Sequence, residues 1–136
     1  MKKRLIPIVI AILLAGIAYG FYLYNKPRAD ISQVSPSIII DAGSLYQDYQ
    51  KNETSSDKKY LDKIIEVSGT VTEVQQTDSS VSIELGDGSA GGVNCSIINT
   101  DRKKKAVPAK GSIIKIKGRC SGFLMDVNMV DCVIMN

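Results

Sequence analysis

The chain has 136 residues, with 14 acidic and 17 basic side chains and no histidine. The absence of histidine excludes the catalytic triads, metal sites and general bases that depend on an imidazole. Three cysteines allow at most one internal disulfide bond and leave one thiol over.

The first element is an apolar segment, residues 5–24, that contains no charged side chain and follows three basic residues. A helix of about 20 apolar residues spans the ~30 Å bilayer core, and basic residues stay on the cytoplasmic side. The sequence therefore predicts a cytoplasmic start at residues 1–4 and a transmembrane anchor at 5–24. A cleaved signal peptide has the same charge order and remains the alternative. Lipidation is not expected, because Ile17 stands where a lipoprotein carries its cysteine.

Residues 25–36 form a polar linker that ends at Pro36, and residues 37–136 are predicted to form one domain. A short strand is expected before a helical segment at 44–61. Ser44 and Gln47 have the spacing of a capping box, which predicts that the first helix begins at Ser44. A second short helix is expected to begin at Asn52 or Thr54.

From residue 64 onward, apolar and polar side chains alternate, as in half-buried strands. Val74 breaks the alternation and predicts a bulge near Glu73. Ser121 and Gly122 are expected to turn the chain into the last strand. The alternation predicts five strands, at about residues 64–74, 81–85, 93–97, 114–120 and 124–135.

Five strands are too few for an ordinary β-sandwich, which needs about seven. Closure into a barrel removes the exposed edges of a small sheet. The sequence therefore predicts a mainly β fold: a five-stranded OB-type Greek-key barrel with short N-terminal helices, preceded by one transmembrane helix.

Several segments carry a family resemblance: Leu45-Tyr46, Tyr49, Asn52-Glu53, 57–60, 63–69, 93–95, 117–120 and 131–133. Together they resemble the tRNA_anti-like family of bacterial OB-fold domains over about residues 40–135. The resemblance implies an anchored or exported domain. With the predicted anchor, the expected place is the bacterial cytoplasmic (inner) membrane, with the C-terminal domain in the periplasm. The family resemblance implies no activity, because one fold supports many functions.

The charge of the predicted domain is divided. Residues 29–100 carry four basic and 11 acidic side chains, whereas residues 101–120 carry eight basic side chains and one acidic. A dense basic segment indicates an anion-facing surface, although a solvated loop has the same composition. The predicted ligand-binding residues are Arg102, Lys103, Lys104, Lys105 and Lys110.

These observations predict a non-catalytic binding module whose partner is an envelope protein or an anionic polymer, with no cofactor and no metal. A single-stranded nucleic-acid-binding domain and a structural envelope component remain alternatives. Stacking of bases needs aromatic platforms, and Phe123 is the only aromatic residue after residue 63.

The cysteine spacing contains no close pair of the kind that binds zinc. A hairpin turning at Gly122 would separate Cys120 from Cys132 by more than about 20 Å, too far for a disulfide bond. The third and fifth strands of an OB barrel are neighbours. The cysteines thus allow a reactive thiol or a structural bridge, and Cys95–Cys132 is the candidate pair for a disulfide bond.

Overall fold

We describe the protein from a computed structural model, in residues 2–26, 30–88, 91–98 and 106–135. An apolar helix, α1, occupies Lys2–Tyr24. Its part Ile6–Tyr24 has a mean hydropathy of 2.3, and none of it is buried against the rest of the protein. The helix is therefore long and apolar enough to cross a membrane, and it contains the predicted anchor.

A β-rich domain follows, preceded by a 3-10 turn at Ile31–Gln33. The domain begins with a short strand and two short helices, and five longer strands follow. The elements are β1 (Ile38–Asp41), α2 (Ala42–Lys51), α3 (Glu53–Tyr60), β2 (Ile64–Gln76), β3 (Ser80–Gly86), β4 (Val93–Ile98), β5 (Ile113–Phe123) and β6 (Val127–Met135).

Strands β2 to β6 close into a barrel. Antiparallel pairs join β2 to β3, β3 to β4 and β5 to β6. The ring is completed by the parallel pair β4–β6 and the antiparallel pair β2–β5. This order confirms the predicted five-stranded OB-type Greek-key barrel. The short strand β1 is added in parallel to β2, with Ile38 opposite Ile65.

The alternating apolar side chains of the strands fill the barrel, as the sequence predicts. The register of β2 against β3 shifts between Val71 and Glu73, which confirms the predicted bulge. Side chains that are fully or almost fully buried in this core include Ile65, Val67, Ile83, Leu85, Val93, Cys95, Ile116, Cys120 and Met129.

The first helix of the domain begins two residues earlier than predicted. Its N-cap is Asp41, whose Oδ1 accepts hydrogen bonds from the backbone amides of Gly43 (2.8 Å) and Ser44 (3.1 Å). The predicted capping box at Ser44 is therefore wrong, because the last residue of β1 caps α2 directly. The prediction for the next helix is confirmed at Asn52, whose side chain accepts from the amide of Ser55.

The last hairpin differs from its prediction. Its turn lies at residues 124–126, and Phe123 pairs with Val127. Gly122 has a φ of 113° and lies inside β5 at an irregularity of the strand. The register shifts bring Cys132 opposite Gly118, only two residues, or about 7 Å, from Cys120 along the neighbouring strand. The separation of more than about 20 Å is therefore wrong.

Part of the predicted linker packs on the barrel wall. Ile31 is buried, and the ammonium group of Lys117 donates hydrogen bonds to the carbonyl oxygens of Ser32 (3.0 Å) and Val34 (2.9 Å). Lys117 is only 3% exposed. Because a buried ammonium group needs acceptors, these two carbonyls make the burial of Lys117 tolerable and hold the segment against β5 and β6.

Candidate functional site

The predicted basic site lies in the connector between β4 and β5. Arg102, Lys103, Lys104 and Lys105 fall outside the described residues. Lys110 is exposed in a tight turn just before β5. The amide of Gly111 donates to the carbonyl of Val71 (2.8 Å), so the barrel wall holds the end of the connector in place.

The other end of the barrel is covered by an aromatic cluster that α2 and α3 bring to β5. The Tyr49 ring stacks on Phe123 with centroids 5.4 Å apart, and Tyr60 lies on the other side of Tyr49 at 6.0 Å. Tyr49 and Tyr60 are fully buried, whereas Tyr46, 6.0 Å from Phe123, is half-buried. The rings thus serve as a plug for the core.

The plug contains one polar contact. The Tyr49 hydroxyl lies 3.4 Å from Cys120 Sγ. Burial raises the pKa of Tyr49, and the contact with Cys120 raises it further. The Tyr49 hydroxyl therefore stays protonated over the ordinary pH range and serves packing.

A second hydroxyl of the cluster ties the two short helices together. Tyr60 donates to Asp48 Oδ2 at 2.6 Å, and the ammonium group of Lys59 donates to the same oxygen at 3.2 Å. The hydrogen bond from Tyr60 is the main cause that lowers the pKa of Asp48. Burial, followed by the bond to Asp48, raises the pKa of Tyr60. Both shifts favour the form of each group that makes this bond.

The three cysteines are buried free thiols. Cys132 reaches the interior because Asp131 adopts a left-handed conformation (φ 54°) at the shifted register of β6. A hydrogen bond with Cys95 is the main cause that raises the pKa of Cys132 well above its ordinary value, followed by burial. The structure thus brings the predicted pair together as thiols, and the disulfide bond itself remains a prediction.

A pocket that sequence reasoning missed opens between α3 and the β5–β6 hairpin. It has a volume of about 430 Å³. Glu53, Asp57 and Leu61 line it from the side of α3. They follow one another at intervals of four residues, which is the spacing of one helical face. That spacing on α3 was the signal of the pocket that the sequence offered. The opposite wall of the pocket comes from the β5–β6 hairpin, which is distant in the sequence. The lining residues are Glu53, Asp57, Leu61, Ser121, Gly122, Phe123, Leu124 and Asn128.

Two acidic side chains of the barrel serve local structure. Glu73 Oε1 accepts from the Gln75 side chain (2.8 Å), and Asp126 Oδ1 accepts from the amide of Gly92 (3.0 Å). Within the described ranges, no group of three His, Cys, Asp or Glu residues lies close enough to hold a metal ion.

Comparison with known proteins agrees with this barrel. The model of the tRNA_anti-like family matches residues 1–134. The chain belongs to the tRNA_anti-like family. None of the curated proteins compared with this tRNA_anti-like chain matches it.

A solved structure has a similar fold. It is a crystal structure from Klebsiella pneumoniae subsp. pneumoniae MGH 78578, described as a "putative nucleic acid-binding lipoprotein". It aligns with a TM-score of 0.59 and 11% sequence identity, covering 82% of this chain and 100% of the other. At that identity the likeness shows the fold alone.

The family and the apolar helix α1 indicate that this tRNA_anti-like chain is a membrane-anchored or exported protein. Its OB-type domain is of a type that binds ligands.

Proposed function

We propose that this tRNA_anti-like protein is a single-pass protein of the bacterial cytoplasmic membrane that presents a non-catalytic binding barrel in the periplasm. The basic residues before α1 support a cytoplasmic N-terminus. Only residues 25–30 separate α1 from the docked segment at Ile31. Seven peptide units reach at most about 25 Å, so the barrel works close to the membrane surface.

The observation that best supports the proposed binding role is the burial of the aromatic rings. Tyr49 and Tyr60 are buried in the plug, so they present no face on which a base could stack. The connector at the opposite end is rich in basic residues in the sequence, and its Lys110 is exposed. We therefore expect the ligand to be an envelope protein or an anionic polymer that contacts Arg102, Lys103, Lys104, Lys105 and Lys110.

Single-stranded nucleic acid is the second candidate. The description of the structural neighbour favours it, and the same basic residues would contact phosphates. The half-buried Tyr46 and Phe123 lie at the other end of the barrel, so stacking would contribute little to affinity at the basic connector.

Binding as a function of salt tests the ligand. The full-length protein in nanodiscs is titrated with polyphosphate and with a thymidine oligonucleotide at several salt concentrations. The triple variant Lys103→Ala, Lys104→Ala, Lys105→Ala should bind polyphosphate at least about tenfold more weakly, with a salt slope smaller by about 3, one per lysine. The matched control is Lys51→Ala, Lys58→Ala, Lys63→Ala, which removes three exposed lysines outside the basic segment 101–120. Equal losses in the two triple variants would contradict the proposed site.

The candidates give different results. Tighter binding of the oligonucleotide than of polyphosphate, at equal charge, would favour the nucleic-acid reading. For a protein ligand, crosslinking from residue 104 in the intact envelope should give one product that the lysine substitutions abolish. Protease added to spheroplasts should digest the barrel; full protection would contradict the periplasmic location.

A further inference from the structure

The pocket beside α3 is a second surface, at the end of the barrel opposite the basic connector. Lys110 precedes the start of β5, whereas the pocket begins where β5 ends, at Phe123. The 11 residues of β5 span about 35 Å. A ligand of the connector therefore does not occupy this pocket, and the two surfaces can be tested separately.

The polar side of the pocket consists of two carboxylates without a counter-charge. Glu53 and Asp57 lie on the same face of α3, and no basic side chain of the described residues lines the pocket. Asp57 Oδ1 is buried and has no hydrogen-bond partner. A hydrogen bond with the Asp57 carboxylate contributes to raising the pKa of Tyr49, so the oxygen without a partner is Oδ1 and not the whole carboxylate. Water does not reach this oxygen, so a cation bound in the pocket would stabilise the Asp57 carboxylate by its charge, without a new hydrogen bond to Oδ1.

The apolar side of the pocket continues onto an exposed turn. Leu124 and Met125 are 86% and 83% exposed, and Leu61 is 38% exposed. Phe123 lines the pocket with Leu61 and Leu124. Adjacent exposed apolar side chains on a hairpin tip indicate a contact with another molecule, and methionine adapts readily to different partners.

We propose that this pocket binds an arginine or lysine side chain of a partner protein, with its cationic head on Glu53 and Asp57 and its stem against Leu61 and Phe123. The neighbouring apolar residues of the partner pack on Leu124 and Met125. Charge complementarity decides the occupant. A cation satisfies both carboxylates, whereas the anionic headgroups of a bilayer would be repelled by them.

The test uses the full-length protein in nanodiscs and two peptides, acetyl-Leu-Arg-Leu-amide and the same peptide with citrulline in place of arginine. Citrulline preserves the shape of arginine and removes its charge. Amide chemical shifts of Gly122, Leu124 and Asn128 report occupancy of the pocket. The arginine peptide should give saturable shifts there and bind at least about tenfold more tightly than the citrulline peptide.

Two variants separate binding from folding. Asp57→Asn and Glu53→Gln should each weaken the arginine peptide at least about threefold. Glu53 is exposed, so its replacement leaves the plug intact if Asp57→Asn disturbs it. The control Glu73→Gln removes an exposed carboxylate on β2 that does not line the pocket, and should not change the affinity.

Three results would overturn the proposal. Equal affinity for the arginine and citrulline peptides would remove the role of charge. Shifts that saturate at residues outside the pocket would place the peptide elsewhere. Shifts of Leu124 that depend on anionic lipid in the nanodisc, without peptide, would assign the hairpin tip to the membrane. None of these results depends on the lysines of the connector, so the test of the proposed function stands apart.

Discussion

The ammonium group of Lys117 lies 2.9 Å from the carbonyl oxygen of Val34, across 83 residues of sequence. This contact makes the segment after α1 part of the barrel surface. Helix α1 and the docked segment are therefore separated by residues 25–30, half the length of the predicted linker 25–36.

Lys117→Met should destabilise the full-length protein by about 1–2 kcal/mol in urea unfolding, because a hydrogen-bonded charged group is lost while the carbonyls remain. Hydrogen exchange at the amide of Val34, which bonds to Ile31, should become faster. The control Lys115→Met changes an exposed lysine of the same strand and should alter stability by less than about 0.5 kcal/mol. Unchanged exchange in Lys117→Met would show that other contacts hold the segment.

Gly118→Ala should destabilise the barrel by about 1–3 kcal/mol, since the new methyl group overfills the core. The Cβ of the introduced alanine would lie 2.6 Å from Cys132 Sγ and 3.2 Å from the carbonyl oxygen of Val130. In a Cys132→Ala background the same substitution should cost at least about 1 kcal/mol less, because the sulfur atom is gone. Urea midpoints of the four proteins measure this difference. Equal costs in both backgrounds would assign the strain to the backbone of Val130.

Tyr60→Phe should lower stability at pH 7 by about 1 kcal/mol, as the bond to the partly exposed Asp48 is lost. The pKa of Asp48 is lowered by folding, so its stabilisation is present above its unfolded pKa, about 3.9, and is lost as the pH falls through the folded value. The pKa of Tyr60 is raised, so its stabilisation is present below about pH 10 and is lost as the pH rises further.

Urea unfolding between pH 2 and pH 11 measures both limits. Tyr60→Phe should flatten the curve at both ends. Tyr46→Phe is the matched control, because the Tyr46 hydroxyl accepts an exposed hydrogen bond from Gln50 and lies outside this pair. A parallel displacement of the Tyr60→Phe curve at every pH would refute the coupling between Tyr60 and Asp48.

Protein isolated from the cell envelope without reductant should contain the Cys95–Cys132 disulfide bond, which forms when the two adjacent thiols lose two protons and two electrons to a disulfide-type oxidant. After denaturation without reductant, an alkylating reagent should then modify only Cys120, and after reduction all three cysteines. Mass spectrometry counts the additions. Three additions without reductant would establish a buried dithiol. In the native protein any free thiol should react slowly, because each cysteine is at most 4% exposed.

The basic connector could be predicted from the sequence, whereas the pocket could not. The lysine-rich connector is visible in the composition, because charge density needs no knowledge of the fold. The pocket is not, since Asp57 and Leu124 are 67 residues apart and meet only after α3 packs on the hairpin. The helix start at Ala42 was missed because Ser44 and Gln47 have the spacing of a capping box, whereas the structure uses Asp41 as the N-cap.

The amino-acid sequence by itself determined the apolar helix, the strand periods and the bulge near Glu73, because each depends on side chains that are neighbours along the chain. Only the tertiary structure decided the register of the last hairpin, the meeting of Cys95 with Cys132 and the attachment of Ser32 to Lys117. Those contacts depend on strand pairing. A left-handed residue such as Asp131 changes which side chains face the core without any periodic signal.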